Sequence, residues 1–334
     1  MSAPGSDDTD WRPGAGIAAL HLRARLNATL RAFFAARGVL EVETPILSAA
    51  GTTDRHIESF HVDFDGPARA GARRRWLRTS PEFALKRLLA AGVGDCYELG
   101  RVFRNGEAGG RHNPEFSMLE WYRVGWDHHR LMGETAELIG AALALVGRHC
   151  RVRRIAYRDL FQDQLGLDPL TAPLETLQSV LAEVRIDPAG LDRDDWLDLI
   201  ISHRLQPHFD PDTLLLLYDY PASQCALARL RGSGDSAVAE RFEAYLGPLE
   251  LANGYHELTD AAEQARRFDS DIAARRAAGR DAPPADARLL AAMAHGLPAC
   301  AGVALGVDRL LLCLLGDSRG AAISAALAFD FGRA

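Results

Sequence analysis

Residues 97–122 read YELGRVFRNGEAGGRHNPEFSMLEWY, and this stretch decides the fold. β-Branched, aromatic and other apolar residues recur in both arms, which is typical of two β-strands. The segment between the arms is polar and contains Gly106, Gly109 and Gly110, residues suited to positive φ and to a tight turn. The stretch therefore predicts a hairpin with a polar loop.

The loop carries cationic groups that suit a phosphate ester. Arg104, Arg111 and His112 flank it, and a guanidinium bonds phosphate oxygens through two parallel N–H donors. Phe116, at the start of the second arm, offers an aromatic face for a nucleobase. For Arg111 alone a solvated surface position is the simpler interpretation.

Three short strings occur in order around this loop: PheArgAsn, HisAsnProGluPhe and GluTrpTyr. Together they resemble the second motif of the class II aminoacyl-tRNA synthetases, specifically their lysyl branch. The resemblance implies an α+β fold, namely a class II synthetase catalytic core with a mostly antiparallel sheet flanked by helices. The expected layout is a flexible N-terminus over residues 1–16 and a catalytic domain over 17–334, with a helical insertion at about 150–210.

Composition indicates a globular protein. The chain has 334 residues, of which 48% are hydrophobic and 25% charged, enough apolar content for a sizeable core. The net charge of -7 provides no global basic field of the kind that holds nucleic acid.

The five cysteines are widely spaced and form no CxxC or Cys/His cluster, so neither a zinc site nor a disulfide framework is indicated. The first residues are polar and acidic, unlike a signal peptide. No apolar run is long enough to span a membrane. We therefore expect the protein to be located in the reducing cytoplasm.

A helix, a glycine and a short strand precede the hairpin. Leu26, Leu30, Phe33 and Phe34 recur with helical spacing, and a strand pattern ends at Pro45. This order resembles the first class II motif, which implies a homodimer.

Residues 80–82 read SerProGlu and lead into a helix. Ser80 suits an N-cap, Pro81 the first helical position and Glu82 the positive end of the helix. In the lysyl family the equivalent SerProGlu contacts the amino-acid substrate, and both roles are compatible.

The string GluLeuAlaAsnGlyTyrHisGlu begins at Glu250 and ends at Glu257. Glu250 suits Mg²⁺ bridging nucleotide phosphates, since that ion prefers one or two carboxylates together with phosphate oxygens. Glu257 suits a substrate ammonium held by charge-assisted hydrogen bonds. Isolated acids are more often surface residues, but the match to the lysyl family favours a role at the site.

Residues 302–316 read GVALGVDRLLLCLLG, which resembles the third class II motif. Its glycines allow close backbone approach, and Arg309 lies at the start of an apolar helix, whose positive end favours phosphate. The guanidinium of Arg309 also suits stacking on adenine.

The resemblance implies the site residues. As catalytic residues it implies Arg104, Glu250 and Arg309, with Glu250 as the Mg²⁺ ligand. For ATP it implies Arg104, Asn105, Gly106, Glu107, His112, Asn113, Phe116, Glu250, Leu251, Gly306 and Arg309. For the lysine substrate it implies Ser80, Pro81, Glu82, Tyr122, Asn253, Glu257 and Ala304.

A full lysyl-tRNA synthetase has an N-terminal OB-fold domain that binds the anticodon, and this chain starts essentially at the first motif. It therefore resembles the free-standing elongation factor P–lysine ligases. That resemblance implies that ATP and Mg²⁺ are used, that (R)-β-lysine is activated as an adenylate, and that a lysine of elongation factor P is the acceptor. No tRNA is expected as a partner.

Two positions depart from the lysyl-tRNA synthetase pattern. Ala304 stands where those enzymes have glycine, and one added methyl group changes discrimination by roughly 1–3 kcal/mol. We predict that it disfavours α-lysine and suits the β-isomer. Gly106 stands where the family has glutamate, so that either Glu107 supplies the carboxylate or the loop contacts nucleotide through its backbone.

Two alternative functions remain open from the sequence. One is a minimal lysyl-tRNA synthetase-like enzyme that charges tRNA. The other is a catalytically silent synthetase paralogue with a regulatory role, which Gly106 favours and the presence of Arg104, Glu250, Glu257 and Arg309 opposes.

Overall fold

A large twisted sheet forms the centre of the molecule. The structure, a computed structural model, describes residues 11–67, 69, 71, 73–316 and 322–334. The strands in chain order are β1 (Leu40–Glu41), β2 (Leu47–Ser48), β3 (His61–Asp63), β4 (Arg74–Leu77), β5 (Cys96–Phe103), β6 (Glu115–Val124), β7 (Arg151–Ala156), β8 (Thr213–Pro221), β9 (Leu230–Arg231), β10 (Val238–Leu246), β11 (Leu249–His256) and β12 (Cys300–Gly306).

Nine of these strands form one sheet in the order β1-β5-β6-β12-β11-β10-β8-β7, with β9 paired to β10. The pairs β1–β5 and β7–β8 are parallel, and the other pairs are antiparallel. Strands β2, β4 and β3 form a separate small sheet. The predicted α+β class with a mostly antiparallel sheet is confirmed.

Helices cover both faces of the large sheet. Within the described residues they are α1 (Ile17–Ala35), α2 (Glu82–Ala90), α3 (His128–Ala144), α4 (Tyr157–Leu165), α5 (Leu174–Val180), α6 (Arg193–Ile200), α7 (Ala261–Ala277), α8 (Ala287–Gly296) and α9 (Val307–Leu314). None of the described helices is long and apolar enough to cross a membrane.

The main core lies between one sheet face and helices α1, α3 and α9. The predicted face of α1 is buried: Leu26, Leu30 and Phe34 are fully enclosed. Alternate strand residues such as Leu119 and Trp121 supply the sheet side of this core, as the period of two in a strand requires. The opposite face is left for α2, α7, α8 and a cavity.

The central hairpin forms as predicted. Strands β5 and β6 pair from Cys96↔Tyr122 to Phe103↔Glu115, and residues 104–114 connect them. Of the three loop glycines, only Gly106 has positive φ, at +81°. The turn therefore needs glycine at one position rather than at three.

The sequence predicted a helical insertion at about 150–210, but this stretch is not wholly helical. It contains α4, α5 and α6, which pack around their own core with strands β8 and β10. It begins, however, with β7, which pairs parallel with β8 at the edge of the large sheet. Four of the six β7 residues are exposed, so the strand lacks the apolar alternation that would have predicted it.

The predicted N-terminal boundary stays a prediction, since residues 1–10 lie outside the described part. Within that part, Gly14 and Ala15 donate backbone hydrogen bonds to Ala328 O at 2.8 Å and to Leu327 O at 3.0 Å. Ala15 is also buried. The end of the predicted flexible segment is thus attached to the C-terminal part of the domain.

Candidate active site

A cavity of about 650 Å³ opens on the sheet face that carries α2. Strands β6, β11 and β12 form its floor, and the hairpin loop and the start of α2 form its walls. The predicted site residues that line it are Ser80, Pro81, Glu82, Arg104, Glu107, His112, Asn113, Phe116, Tyr122, Glu250, Leu251, Asn253, Glu257, Ala304, Gly306 and Arg309. Residues separated by more than 200 positions therefore meet in one place.

Two predicted ATP-binding residues do not line this cavity. Asn105 and Gly106 are exposed on the outer side of the loop, and the backbone N–H of Asn105 donates to Glu58 O at 2.8 Å. The hairpin turn sets both residues on its outer side, because the chain reverses at Gly106, where φ is positive.

One end of the cavity is acidic. Ser80 Oγ donates to Glu120 Oε2 at 2.6 Å, and Tyr122 Oη donates to Glu120 Oε1 at 2.8 Å. Ser80 Oγ also accepts from the backbone N–H of Glu82 at 3.0 Å, although the helix begins at Glu82 with Pro81 in the cap position. The predicted assignment of Ser80 as N-cap and Pro81 as first helical residue is therefore wrong by one position, and Ser80 instead bonds the first helical N–H from one residue before the cap.

A lysine that the sequence analysis did not select lies among these acids. Lys86 Nζ is 2.5 Å from Glu82 Oε1 and 2.6 Å from Glu257 Oε2. Glu82 and Lys86 are one helical turn apart, a spacing that pairs side chains on one helix face. That spacing was the available signal for Lys86.

Glu120 was also missed as a pocket residue. It is buried with 2% exposure and lies two residues before Tyr122 on β6, so both side chains project from the same strand face. This period of two was the available signal, because Tyr122 had already been assigned to the pocket.

Burial shapes the protonation of the acidic end. It raises the pKa of Glu120 to about 7, although hydrogen bonds from Ser80 and Tyr122 favour the ionised form. It also raises the pKa of Glu257 to about 8, with Lys86 opposing that rise. These two carboxyl groups therefore titrate near neutrality, and a bound ammonium would favour their ionised forms.

Ala304 lies on the cavity floor, on strand β12 between β6 and β11. In the strand register Ala304 pairs with Glu120 of β6 and with Asn253 of β11. Asn253 Oδ1 accepts from Arg241 Nε at 3.3 Å, which orients its amide. The methyl group of Ala304 thus lies between the side chains of Glu120 and Asn253 on the cavity floor.

Gly302 makes a close approach on the same strand. A Cβ built there would lie 2.2 Å from the Tyr122 ring and 2.6 Å from Glu257 Oε1. Both distances are far below van der Waals contact, so this position accepts only glycine without rearrangement of the pocket.

The other end of the cavity is cationic. Arg104 lies with its guanidinium carbon 5.2 Å from the centroid of the Phe116 ring, and its Nη1 is 3.8 Å from Glu107 Oε1. Its buried Nε has no hydrogen-bond partner among the described residues. A buried donor without a partner is costly, and a phosphate oxygen would satisfy it.

Arg309 forms the neighbouring wall. Its Nη1 donates to Glu250 O at 2.9 Å, and its Nη2 is 2.7 Å from His112 Nε2. Burial and the charge of Arg309 lower the pKa of His112, so the neutral ring accepts this bond. Two groups from the hairpin and β11 hold the planar guanidinium in one orientation at the cavity.

A partly buried ion pair supports this wall from behind. Asp308, with 2% exposure, accepts from the backbone N–H of Ser117 at 2.7 Å and from Arg23 of α1. The pair joins the first helix, the hairpin and the start of α9. It therefore fixes the position of the start of α9, from which the Arg309 side chain extends into the cavity.

Glu107 borders the cavity and Gly106 does not. Of the two explanations that the sequence offered for Gly106, this arrangement favours a carboxylate supplied by Glu107. A side chain at 106 would start from the exposed side of the turn and would adopt a strained φ.

Glu250 is the predicted Mg²⁺ ligand. Its side chain is 36% exposed, and its Oε2 lies 3.5 Å from Arg309 Nη1. Burial and the nearby Glu243 raise its pKa, so a bound cation would stabilise its ionised form. The oxygen donor and its place at the cavity fit Mg²⁺ shared with phosphate oxygens.

A second group of possible metal ligands lies outside the cavity lining. His128, Glu240 and His256 place one ligand atom each within 4.8 Å of one another. Glu240, however, already pairs with Arg231 and with His256 Nδ1 at 2.6 Å. These contacts account for the cluster as a hydrogen-bonded network.

A family model and individual relatives point to the same protein family. The model of the tRNA synthetases class II (D, K and N) matches residues 10–329. The chain is 46% identical over 330 residues to the elongation factor P–(R)-β-lysine ligase of Vibrio cholerae, covering 98% of this chain and 99% of that protein. It is 45% identical over 332 residues to the protein of the same name from Yersinia enterocolitica, covering 98% and 100%.

Proposed function

Since the chain belongs to the class II tRNA synthetases (D, K and N), we propose that it is an ATP-dependent ligase that attaches (R)-β-lysine to a lysine side chain of elongation factor P. The relatives named above carry that activity in their names, and the similarity covers nearly the whole of both chains.

The charge separation in the cavity is the observation that carries the proposal. Glu82, Glu120 and Glu257 form one end, and Arg104 and Arg309 lie at the other. A diamino acid presents ammonium groups to the first end, and ATP presents phosphates to the second. The amino-acid carboxylate then lies between the two ends, where the α-phosphorus of ATP is expected.

The first step forms an adenylate. A carboxylate oxygen of β-lysine attacks the α-phosphorus, the bond to the bridging oxygen of pyrophosphate breaks, and pyrophosphate leaves with the bonding electrons. Arg104 is assigned to the α-phosphate, where its partnerless Nε stabilises the developing charge. Phe116 and Arg309 are assigned to the two faces of adenine.

Mg²⁺ bound by Glu250 and phosphate oxygens would supply charge neutralisation on the leaving pyrophosphate. The remaining work belongs to the side chains of this chain. Glu82, Tyr122 and Glu257 orient the amino acid, and Glu107 supports Arg104 from 3.8 Å. Positioning of this kind replaces a bimolecular encounter with a reaction between held groups.

The second step transfers the aminoacyl group. The unprotonated ε-amino nitrogen of the acceptor lysine attacks the adenylate carbonyl carbon, AMP leaves, and the new amide nitrogen loses a proton to solvent. The enzyme forms no covalent intermediate, so this route needs no serine or cysteine nucleophile at the cavity.

Ala304 supports the choice of the β-isomer. Its methyl group lies between Glu120 and Asn253 in the strand register, and we propose that it borders the path of the substrate backbone. Moving the amine by one carbon changes where that ammonium meets the acidic end. We therefore assign the discrimination between the isomers to this position.

We also propose a homodimer in the cytoplasm. Exposed apolar side chains lie near β1 and β2, among them Leu40 with 53% and Leu47 with 48% exposure. They belong to the segment that resembles the first class II motif. All five cysteines are free thiols, and the proposed acceptor is a translation factor. Light scattering on purified protein would test the dimer.

Mass spectrometry of elongation factor P after incubation with the enzyme, ATP, Mg²⁺ and (R)-β-lysine tests the function. We predict a mass increase of one β-lysyl group. The increase should disappear with Arg104→Ala and persist with the matched control Arg101→Ala, since Arg101 is an exposed neighbour on β5 outside the cavity lining. Charging of tRNA without modification of elongation factor P would instead support the tRNA synthetase alternative.

A further inference from the structure

Lys86 is the only lysine in a sequence in which lysine and arginine together number 38. Every other basic position of that count is arginine. The single lysine is also among the most deeply buried side chains, with 1% exposure, and it lies behind the acidic end, in contact with two of the acids that line it. No step of the mechanism above uses it.

The Lys86 ammonium joins two elements of the pocket. It contacts Glu82 of α2 and Glu257 at the end of β11, at 2.5 Å and 2.6 Å. Both acids are the ones assigned to the substrate. A compact ammonium fits between two carboxylates in this closed space, whereas a guanidinium is larger and planar.

The charges at the acidic end give Lys86 a specific consequence. Glu82, Glu120 and Glu257 bring three carboxyl groups into one closed space, and the Lys86 ammonium pairs with two of them. Tyr122, Tyr255, Cys96 and Cys300 also face this end, and burial raises their pKa values, so they are uncharged at neutral pH. Arg241 and Asp54 lie close to Tyr255 and carry opposite charges. A lysine isomer carries two ammonium groups at that pH.

We propose that Lys86 is a positioning residue whose ammonium pairs with Glu82 and Glu257 and so holds both as carboxylates facing the ammonium groups of a diamino acid. This inference rests on the proposed function, because it takes the acidic end as the amino-acid site. It adds a specificity determinant that no step of the reaction itself requires.

The protonation behaviour of the pocket agrees with this geometry. Burial lowers the pKa of Lys86, but Glu257 and Glu82 together raise it above its usual value. Burial raises the pKa of Glu257 and Lys86 opposes that rise. Removing Lys86 therefore leaves a buried carboxylate without its cation, and such a group takes up a proton.

The single lysine permits a direct measurement on the unaltered protein. Protein grown with ¹³C,¹⁵N-lysine yields side-chain NMR signals from Lys86 alone. We expect this signal to stay in the protonated form past the usual lysine pKa of about 10.4, and to shift when unlabelled (R)-β-lysine is added. Titration at the usual pKa, or a signal that ignores a ligand shown to bind, would overturn the inference.

Two variants test the charge itself, with KM for the amino acid in ATP–pyrophosphate exchange as the readout. Lys86→Met should raise KM roughly tenfold or more at neutral pH, with the difference shrinking as rising pH ionises Glu257. Lys86→Arg keeps the charge and should keep the wild-type pH dependence of KM, even if its kcat is lower.

Leu85→Met is the matched control, because Leu85 is a buried neighbour on the same helix that carries no charge. It should change KM equally at every pH. The same pH-independent pattern in Lys86→Met would reduce Lys86 to a packing role and overturn the inference. Absence of exchange and of amino-acid binding in the wild-type protein would instead overturn the proposed function, and the inference with it.

Discussion

Ser80 Oγ donates a hydrogen bond to Glu120 Oε2 at 2.6 Å, and this contact joins the SerProGlu segment to the floor strand β6. Glu120 titrates at about pH 7 because burial disfavours its charge, while this bond favours it. Ser80 therefore acts on the substrate pocket through the protonation of a neighbouring acid as well as through any direct contact.

Ser80→Ala should shift the pH dependence of amino-acid binding. Loss of the bond raises the pKa of Glu120, and an ammonium ligand needs the ionised form. KM for the amino acid should thus begin to rise at a higher pH as the solution is acidified. Exchange assays across the neutral range would measure this, with exposed Ser179→Ala as the control. An unchanged pH profile with a uniform loss of activity would contradict it.

Asp308→Ala should destabilise the fold, because it leaves Arg23 and the Ser117 N–H without their buried partner. Leaving the Ser117 N–H unsatisfied and removing this partly buried pair costs about 1–3 kcal/mol, measurable as the free energy of unfolding in urea. Arg31→Ala is the comparison, since its pair with Glu41 is exposed and is worth less than about 1 kcal/mol. Equal losses for both variants would argue against a supporting role for Asp308.

Gly106→Glu restores the residue type usual in the family and should not improve the enzyme. A side chain at φ +81° costs about 1–2 kcal/mol, and the position lies outside the cavity lining. Gly106→Ala should lose similar stability, which separates the backbone cost from the carboxylate. If Gly106→Glu exchanges pyrophosphate faster than the wild type, then Glu107 does not replace the missing group.

Ala304→Gly should relax the preference between lysine isomers. Removing one methyl group alters discrimination by roughly 1–3 kcal/mol, or about 10- to 200-fold in relative kcat/KM. We expect the ratio for (R)-β-lysine over α-lysine to fall by an amount in that range. Ala301→Gly is the control for loss of a strand methyl, because Ala301 is buried on the same strand and lies outside the cavity lining. A ratio unaffected by Ala304→Gly would assign the discrimination elsewhere.

Local patterns predicted the parts of the fold that carry strong signals. The hairpin followed from apolar arms around a polar loop, and the buried face of α1 from its 3.6-residue period. Strand β7 was missed because four of its six residues are exposed and three are arginine, and because its pairing with β8 spans some 60 residues. Such long-range pairing leaves no trace in the strand itself.

The sequence predicted those residues of the site that belong to recognisable motifs. Lys86 and Glu120 were missed because each reads locally as an ordinary charge, and only the packing of α2 on β6 and β11 turns them into a buried cluster. Asn105 and Gly106 were assigned to ATP by their place in a motif, whereas the turn geometry sets them on the outer side. Side-chain direction in a turn depends on φ, which the residue order alone does not give.

Amino-acid-dependent ATP–pyrophosphate exchange without any acceptor tests the central claim most directly. Purified protein would be assayed with (R)-β-lysine and with α-lysine under identical conditions. We predict exchange with each amino acid, with a higher kcat/KM for (R)-β-lysine than for α-lysine. This order is the one expected of an adenylating site with Ala304 in its floor. Exchange that favours α-lysine would contradict the assigned specificity, and no exchange with either would contradict the proposed ligase and favour a silent paralogue.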